Sequence, residues 1–328
     1  MAQNDVFCPE MLSALQSTNS ILLCTHIFPD GDAIGSTLAM GRVLKKLGKQ
    51  VTLACTDPVP GSYRFLPGTE AFVQPEALDG AAFDVGFAID CADLKRTGAC
   101  AEAFSRCPVT MQIDHHPTNP SYAQINVVDG TAPAAGCIVR RTIRALGVPL
   151  DAETAQCLYC AISTDTGNFC FRGTTPEAFR IAAELVETGF PLAETARSVH
   201  LLREEPHIRL LGRALISLRL FGGGRCACMR VTRADFDAAG AQPEHCDRIV
   251  NYALNIPGVE MAYLADGSEE GWVKASLRAL APWNVSGIAQ KFGGGGHVLA
   301  SGFRCEGKLE DVCAQIEQEM LCQIGEEA

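Results

Sequence analysis

Over residues 20–190 short apolar runs alternate with stretches of helical spacing. Ile21–Cys24, Val51–Cys55, Asp84–Asp90 and Val109–Ile113 are brief and strongly apolar, the pattern of strands buried on both faces. Between and after them the period lengthens. Ile34, Leu38, Gly41 and Leu44/Leu47 fall on one side of a helix, and Leu94–Ser105, Ala134–Leu146 and Ala152–Ile162 also read as helical. A helix opened by Pro176 places Phe179, Ala182, Ala183 and Val186 on one face and stops at Gly189, with proline in the first turn and glycine past the last. Residues 1–19 predict a short amphipathic helix carrying Met11, Leu12 and Leu15. Pro58–Gly68 reads as loop, and Pro117–Pro133 as a long polar segment able to cover a site edge. This alternation predicts an α/β fold with a doubly wound, mostly parallel sheet.

The pattern changes after residue 190. Leu192–Leu215 is helical and charged, and reads as a connector. Gly222–Gly224 marks a hairpin-like turn. Cys226–Val231, Val259–Leu264, Trp272–Leu277 and the region of Phe303 predict strands, and Leu309–Ile324 a closing helix with Leu309, Val312, Cys313, Ile316 and Met320 apolar. The expected organisation is a catalytic domain over residues 1–195, a helical connector over 196–214 and a smaller α/β domain over 215–328. A chain of 328 residues is long for one core, which agrees with two domains.

Composition narrows the function classes. The formal net charge is −11, from 27 Lys+Arg against 38 Asp+Glu; long duplex nucleic acid, which requires a basic surface to displace counterions, is not an expected partner. A short phosphorylated substrate in a metal-containing pocket remains compatible. No apolar run is long enough for a membrane span, and no basic stretch followed by an apolar one suggests a signal peptide, so a cytoplasmic protein is expected. The 16 cysteines fall largely inside apolar patterns and read as buried reduced thiols. Cys157/Cys160 and Cys226/Cys228 lack the second half of a zinc motif.

The candidate chemistry sits at the ends of the apolar runs. His26, Asp30 and Asp32 follow the first in ILLCTHIFPDGDAIGS. In open parallel sheets the carboxyl edge of the strands is where ligands bind. Carboxylates this close raise one another's pKa unless a cation neutralises them. Asp30 and Asp32, two residues apart in an extended turn, point to different sides, which suits two metal ions better than one. Asp90 ends FDVGFAID, Asp114-His115-His116 end PVTMQIDHH, and Asp165 lies in STDTGN. One aspartate after a strand is ordinarily a turn or a helix cap; four segments delivering His and Asp point to a metal site. Carboxylates and imidazoles without thiolate favour Mn²⁺ or Mg²⁺, and the imidazoles tilt the choice to Mn²⁺. Two such ions would clamp an in-line displacement at phosphorus. In the last part of the chain, FGGGGHVLASG places Gly293, Gly294, Gly295 and Gly296 before His297. Consecutive glycines let backbone amides approach an anion, although for the four glycines alone a flexible surface turn is the better reading. Arg278, at the end of a predicted strand, can fork onto a phosphate or stack on a base.

In order and spacing, HIFPDGDAIGS, FAIDCAD, IDHHPTN, STDTGNF and GGGGHVLASG resemble the DHH/DHHA1 phosphoesterase family, and within it the stand-alone nanoRNases, oligoribonucleases that often also dephosphorylate 3′-phosphoadenosine-5′-phosphate (pAp). The resemblance runs from about residue 15 to the C-terminus. It implies His26 and Asp30 as ligands of a first metal and Asp32 of a second, with Asp90 bridging both. His115 and Asp165 would complete the ligand set of the second metal. His116 would act at the scissile phosphate, and Asp114 would orient a ligand. Arg278 and Gly293–His297 would hold the terminal nucleotide or its phosphate, and a homodimer is implied. The activity implied is two-metal hydrolysis of short RNA to 5′-mononucleotides, and of pAp. Linear or cyclic dinucleotide signals (pGpG, pApA, c-di-AMP) are the alternative substrates, and a nucleotide-binding module that does not hydrolyse is the alternative of a different class.

Overall fold

The computed structural model describes residues 8–325; part of the expected N-terminal helix lies outside them, and the described helix there is Pro9–Ser17, with Met11 and Leu15 buried. The chain divides into two compact units between Leu202 and Arg203. In the first, β1 (Ser20–Cys24), β2 (Gln50–Ala54), β3 (Phe72–Val73), β4 (Val85–Ile89), β5 (Val109–Asp114) and β6 (Ile125–Val128) form a six-stranded sheet in the order β3-β2-β1-β4-β5-β6. All its pairings are parallel. The order reverses between β1 and β4, and this switch point opens a crevice at the carboxyl edge of the sheet.

The apolar runs became strands because both faces are covered. Ile21 and Leu23 enter one core cluster with Phe87 and Met111, whereas Leu22 and Cys24 enter another with Ala88 and Phe104. The Gly31–Lys46 helix packs closely on the Ala152–Asp165 helix, and glycine makes this contact possible. A Cβ on Gly35 would lie 2.4 Å from the Cys157 carbonyl oxygen, and one on Gly31 would lie 2.4 Å from the Thr164 side chain. Gly35→Ala is therefore expected to destabilise the protein by about 1–3 kcal/mol through overpacking. The variant also shifts the helix that carries Asp32. A urea transition with an unchanged midpoint would count against this packing.

Several expectations need correction. Residues 94–105 are not one helix. A 3₁₀ turn (Leu94–Thr97) and an α-helix (Cys100–Arg106) meet at Gly98, whose φ of +61° breaks the run and whose Cβ would meet Thr56 Oγ1 at 2.6 Å. The polar segment 117–133 contains the edge strand β6, which is half-buried throughout and so lacks an apolar run. The Pro176–Glu187 helix buries Ala178, Ile181 and Leu185, one position off the expected face. Phe179 and Val186 are exposed, and the Phe179 ring packs beside Phe169, 5.1 Å between centroids. The expected connector is broken into Leu192–Ala196, a π-turn over Arg197–Leu201, and Glu205–Ile216.

The second unit carries β7 (Arg219–Phe221), β8 (Cys226–Thr232), β9 (Met261–Gly267), β10 (Trp272–Ala279), β11 (Gly295–His297) and β12 (Ala300–Glu306), in the order β11-β12-β10-β9-β8-β7. Only β8–β9 is parallel. The Leu309–Ile324 helix buries Val312, Cys313, Ile316 and Met320 against the sheet core that includes Tyr263 and Leu277. No helix among the described residues is long and apolar enough to cross a membrane.

Candidate metal and phosphoester site

The expected site residues of the first unit gather at the switch point. His26 follows β1, Asp90 follows β4, Asp114 ends β5, and His115 and His116 come next. Asp30 is the N-cap of the Gly31–Lys46 helix, its Oδ1 accepting from the amides of Asp32 and Ala33. It thus fulfils the ordinary capping role and still lies in the cluster. Asp165 is the last residue of the Ala152–Asp165 helix, which runs three residues past the helical pattern expected to end at Ile162.

Asp90 stands between two groups of donors. Its Oδ2 is 3.7 Å from His26 Nε2, which is also 3.9 Å from Asp30 Oδ1. Its Oδ1 is 3.5 Å from His115 Nε2 and 3.8 Å from His116 Nδ1. His115 Nε2 lies a further 3.2 Å from Asp165 Oδ2 and 3.9 Å from Asp32 Oδ2. Three trios, His26/Asp30/Asp90, Asp32/His115/Asp165 and Asp90/His115/His116, each offer donor atoms within 4.8 Å of one another. Most of these separations exceed a good hydrogen bond and suit oxygen and nitrogen atoms arranged around a shared cation. The buried Asp90 Oδ1 has no hydrogen-bond partner, an orphan that is costly unless something else satisfies it. The donor set is carboxylate and imidazole without thiolate, as hard divalent cations prefer. The residues therefore fit a pair of such cations.

Local hydrogen bonds aim these groups. His26 Nδ1 is 2.7 Å from the Ile27 carbonyl and His115 Nδ1 is 3.3 Å from the Ala132 carbonyl. A proton on Nδ1 suits both carbonyls, and Nε2 of each ring faces the carboxylates. Asp32 is fully buried; its Oδ1 accepts from Ser36 Oγ (2.8 Å) and the Gly136 amide (2.9 Å), and its Oδ2 from the Ala135 amide (2.5 Å). It thereby anchors the start of the Ala135–Ala145 helix.

Charge crowding perturbs the cluster. Burial, then the Asp165 carboxylate, pushes Asp32 up to about 7. Burial and the Asp32 carboxylate raise Asp90 well above the carboxylate range. His115 moves oppositely to what burial alone would give: the hydrogen bond to Asp165 and the charges of Asp90 and Asp32 raise it to about 11. Asp114 is buried, which raises its pKa, but hydrogen bonds from His116 Nδ1 (2.8 Å) and Asn119 Nδ2 (2.6 Å) outweigh burial and keep it low.

Asn119 is a component that sequence reasoning passed over, although it lies inside the IDHHPTN motif. Its side chain bonds Asp114 and exchanges two hydrogen bonds with Gln112, which in turn bonds Asn126 at 2.5 Å. Two of these three amides sit within polar-looking sequence and one in mid-strand, so spacing gave no signal for their meeting.

In the second unit Arg278, on β10, is half-buried. Its Nη1 donates to the Leu277 carbonyl at 2.9 Å, and the Asp247 carboxylate acts on its charge from nearby. Burial draws its pKa down. The glycine run divides by role. Gly293 (φ +77°) turns the chain out of the Val285–Lys291 helix, and Gly295 has open space around it. Gly294 and Gly296 are required by close approach to β12: a Cβ on the first would lie 2.3 Å from the Gly302 carbonyl oxygen, and one on the second 2.7 Å from that of Ala300. The expected loop is thus partly an edge strand. His297 on β11 and Arg278 on β10 both pair with Ala300 of β12; directly opposed residues share a face of a sheet, so these two lie on one face, two strands apart.

Known proteins resemble this chain in sequence and fold. Residues 20–162 match the DHH family, N-terminal domain, and residues 224–321 match the DHHA1 domain. The chain is 39% identical over 300 residues to the bifunctional oligoribonuclease and PAP phosphatase NrnA of Thermus thermophilus, covering 91% of this chain and 87% of that protein. It is 23% identical to the protein of the same name from Bacillus subtilis, covering 89% and 91%. The crystal structure of an exopolyphosphatase-related protein from Bacteroides fragilis, 24% identical, has the same fold, with a TM-score of 0.91 over 98% of this chain and 99% of that one. With both domains matched in order and a 39%-identical relative spanning most of its length, this chain belongs to the DHH/DHHA1 phosphoesterase family of hydrolases.

Proposed function

We propose that the protein hydrolyses short oligoribonucleotides to 5′-mononucleotides and removes the 3′-phosphate of pAp, as a cytoplasmic homodimer that does not act on long duplexes. The observation that carries this reading is Asp90, whose two carboxylate oxygens face two separate donor groups. His26 and Asp30 would hold one divalent cation and Asp32, His115 and Asp165 a second, with Asp90 shared; Mn²⁺ is the metal proposed, with Mg²⁺ the alternative. When bound, the pair would supply Lewis-acid activation of water and neutralise charge on the phosphate oxygens.

The chain's own groups do the rest. Asp114 accepts from His116 Nδ1 and so sets the orientation of the imidazole. His116 is then suited to hydrogen-bond a phosphate oxygen and to give a proton to the leaving oxygen. Arg278, a half-buried cation, and His297 on the same sheet face suit a terminal phosphate or base, with Gly293–Gly296 contributing backbone amides. The names of the relatives, oligoribonuclease and PAP phosphatase, support the substrate class.

The decisive experiment is a substrate panel of diribonucleotides, pAp, pGpG, pApA and c-di-AMP under manganese and magnesium titration. Preferred turnover of diribonucleotides and pAp is expected; exclusive turnover of c-di-AMP would overturn the assignment. Asn119→Ala, which loosens Asp114 and through it His116, is expected to lower kcat about tenfold with little change in KM, by analogy with other groups that orient ligands from behind. Steady-state kinetics on a diribonucleotide checks it.

A further inference from the structure

Phe28 is an anomaly in the turn between His26 and Asp30. Its φ is +51°, a conformation that bulky residues rarely adopt, and its ring is 78% exposed. The strain is imposed by neighbouring bonds. The Phe28 amide donates to Asp57 Oδ2 at 2.8 Å, and the Ile27 amide to the Arg96 carbonyl at 2.6 Å. Phe169 provides the contrast. It also has positive φ (+65°), but its ring sits between Tyr159 and Phe179, with centroids at 6.4 and 5.1 Å. Packing offsets the strain there. Phe28 has no aromatic partner among the described residues, so the fold holds a strained backbone and an unburied ring together, two residues from His26 and two from Asp30. Strain of this kind persists where the surroundings over-determine it, characteristically at ligand-binding sites.

We propose that Phe28 is a stacking platform for a nucleobase, seating the base of a nucleotide adjoining the scissile phosphate. The proposal rests on the oligonucleotide reading above and adds a residue to which the resemblance gives no role. An exposed aromatic face binds any base by stacking, so Phe28 would favour nucleotide substrates over other phosphoesters without dictating base identity. Asp57 acts as a positioning residue, since its carboxylate fixes the backbone from which the ring projects.

The test compares wild type with Phe28→Asn, Phe28→Trp and Asp57→Ala. Asparagine tolerates the left-handed region, so the first variant removes the ring while keeping the turn; its thermal midpoint should not fall. For a diribonucleotide, Phe28→Asn is expected to raise KM about tenfold with kcat within about twofold. Phe28→Trp should behave as wild type, and Asp57→Ala should raise KM by a smaller factor. Binding of a 2-aminopurine dinucleotide, followed in calcium buffer, gives a readout independent of turnover: its fluorescence should be quenched by wild type and Phe28→Trp but not by Phe28→Asn. Unchanged KM and quenching in Phe28→Asn would overturn the proposal. Quenching that depends on Phe28 without any cleavage in manganese would leave it standing and defeat the hydrolytic reading instead. Neither binding nor cleavage by wild type would defeat both.

Discussion

Asp90→Asn is expected to abolish metal-dependent turnover of diribonucleotides, with a loss on the order of 10³-fold or more, as when a group acting directly on the reacting centre is removed. The argument is geometric. One oxygen of Asp90 faces His26 and the other faces His115, and an amide cannot serve both sides as a shared anion. The same substitution should leave the fold intact. Asp90 has φ +55°, which asparagine accepts readily, and its amide bond to the Ile113 carbonyl (2.9 Å) does not involve the side chain. Removing one buried carboxylate from a crowded cluster should even stabilise the metal-free protein, by on the order of 1 kcal/mol, the familiar opposition between site function and stability. Activity near wild type, or a collapsed circular dichroism spectrum, would falsify this account of the site.

Stripping divalent metal from the protein is expected to lower its thermal midpoint, increasingly so at higher pH. The sign follows from the shifts. Asp32 is raised from 3.8 to about 7 and His115 from 6.5 to about 11. Between each pair of values the metal-free folded chain holds a proton that the unfolded chain has released. Stability therefore falls as pH rises, from about 4 to about 7 on account of Asp32 and from about 6.5 to about 11 on account of His115. A bound cation takes over the role of those protons, so metal binding releases them and tightens with pH. At a free metal concentration a hundredfold above Kd, binding adds ~2.7 kcal/mol of stability. Calorimetric titration of the stripped protein with Mn²⁺ at pH 6, 7 and 8, in buffers of different ionisation enthalpy, measures both affinity and proton release. Affinity that weakens with pH, or no proton release, is incompatible with the cluster described.

The parts of the fold that could be read in advance were those with one-sided physical causes. β1, β4 and β5 are buried on both faces, so their apolar runs announced them, and the residues that end them had to emerge at one sheet edge. β3, with two residues, and β6, half-buried along its length, carry no such run because they lie at the two ends of the sheet. The Pro176 helix was recognised by its proline and glycine boundaries, but its buried face was misread because Phe179 is apolar and yet sits outside the main packing. At the site, His26, Asp30, Asp32, Asp90, His115 and Asp165 were identifiable as chemistry-bearing types at run ends. Asn119 and Gln112 were not, since amides recur throughout polar segments and only the folded chain brings Asn119 to Asp114 and Gln112 behind it. Phe28 was equally silent, its peculiarity residing in a backbone angle.

The Asp32 carboxylate that receives the amides of Ala135 and Gly136 has an implication for descent. A lineage abandoning hydrolysis could discard His116 or neutralise Asp90 at small structural penalty, but losing Asp32 would unseat a neighbouring helix as well. Silenced descendants of this scaffold should therefore keep that aspartate long after its catalytic partners have drifted, and its survival in a homologue is weak grounds for inferring an active enzyme.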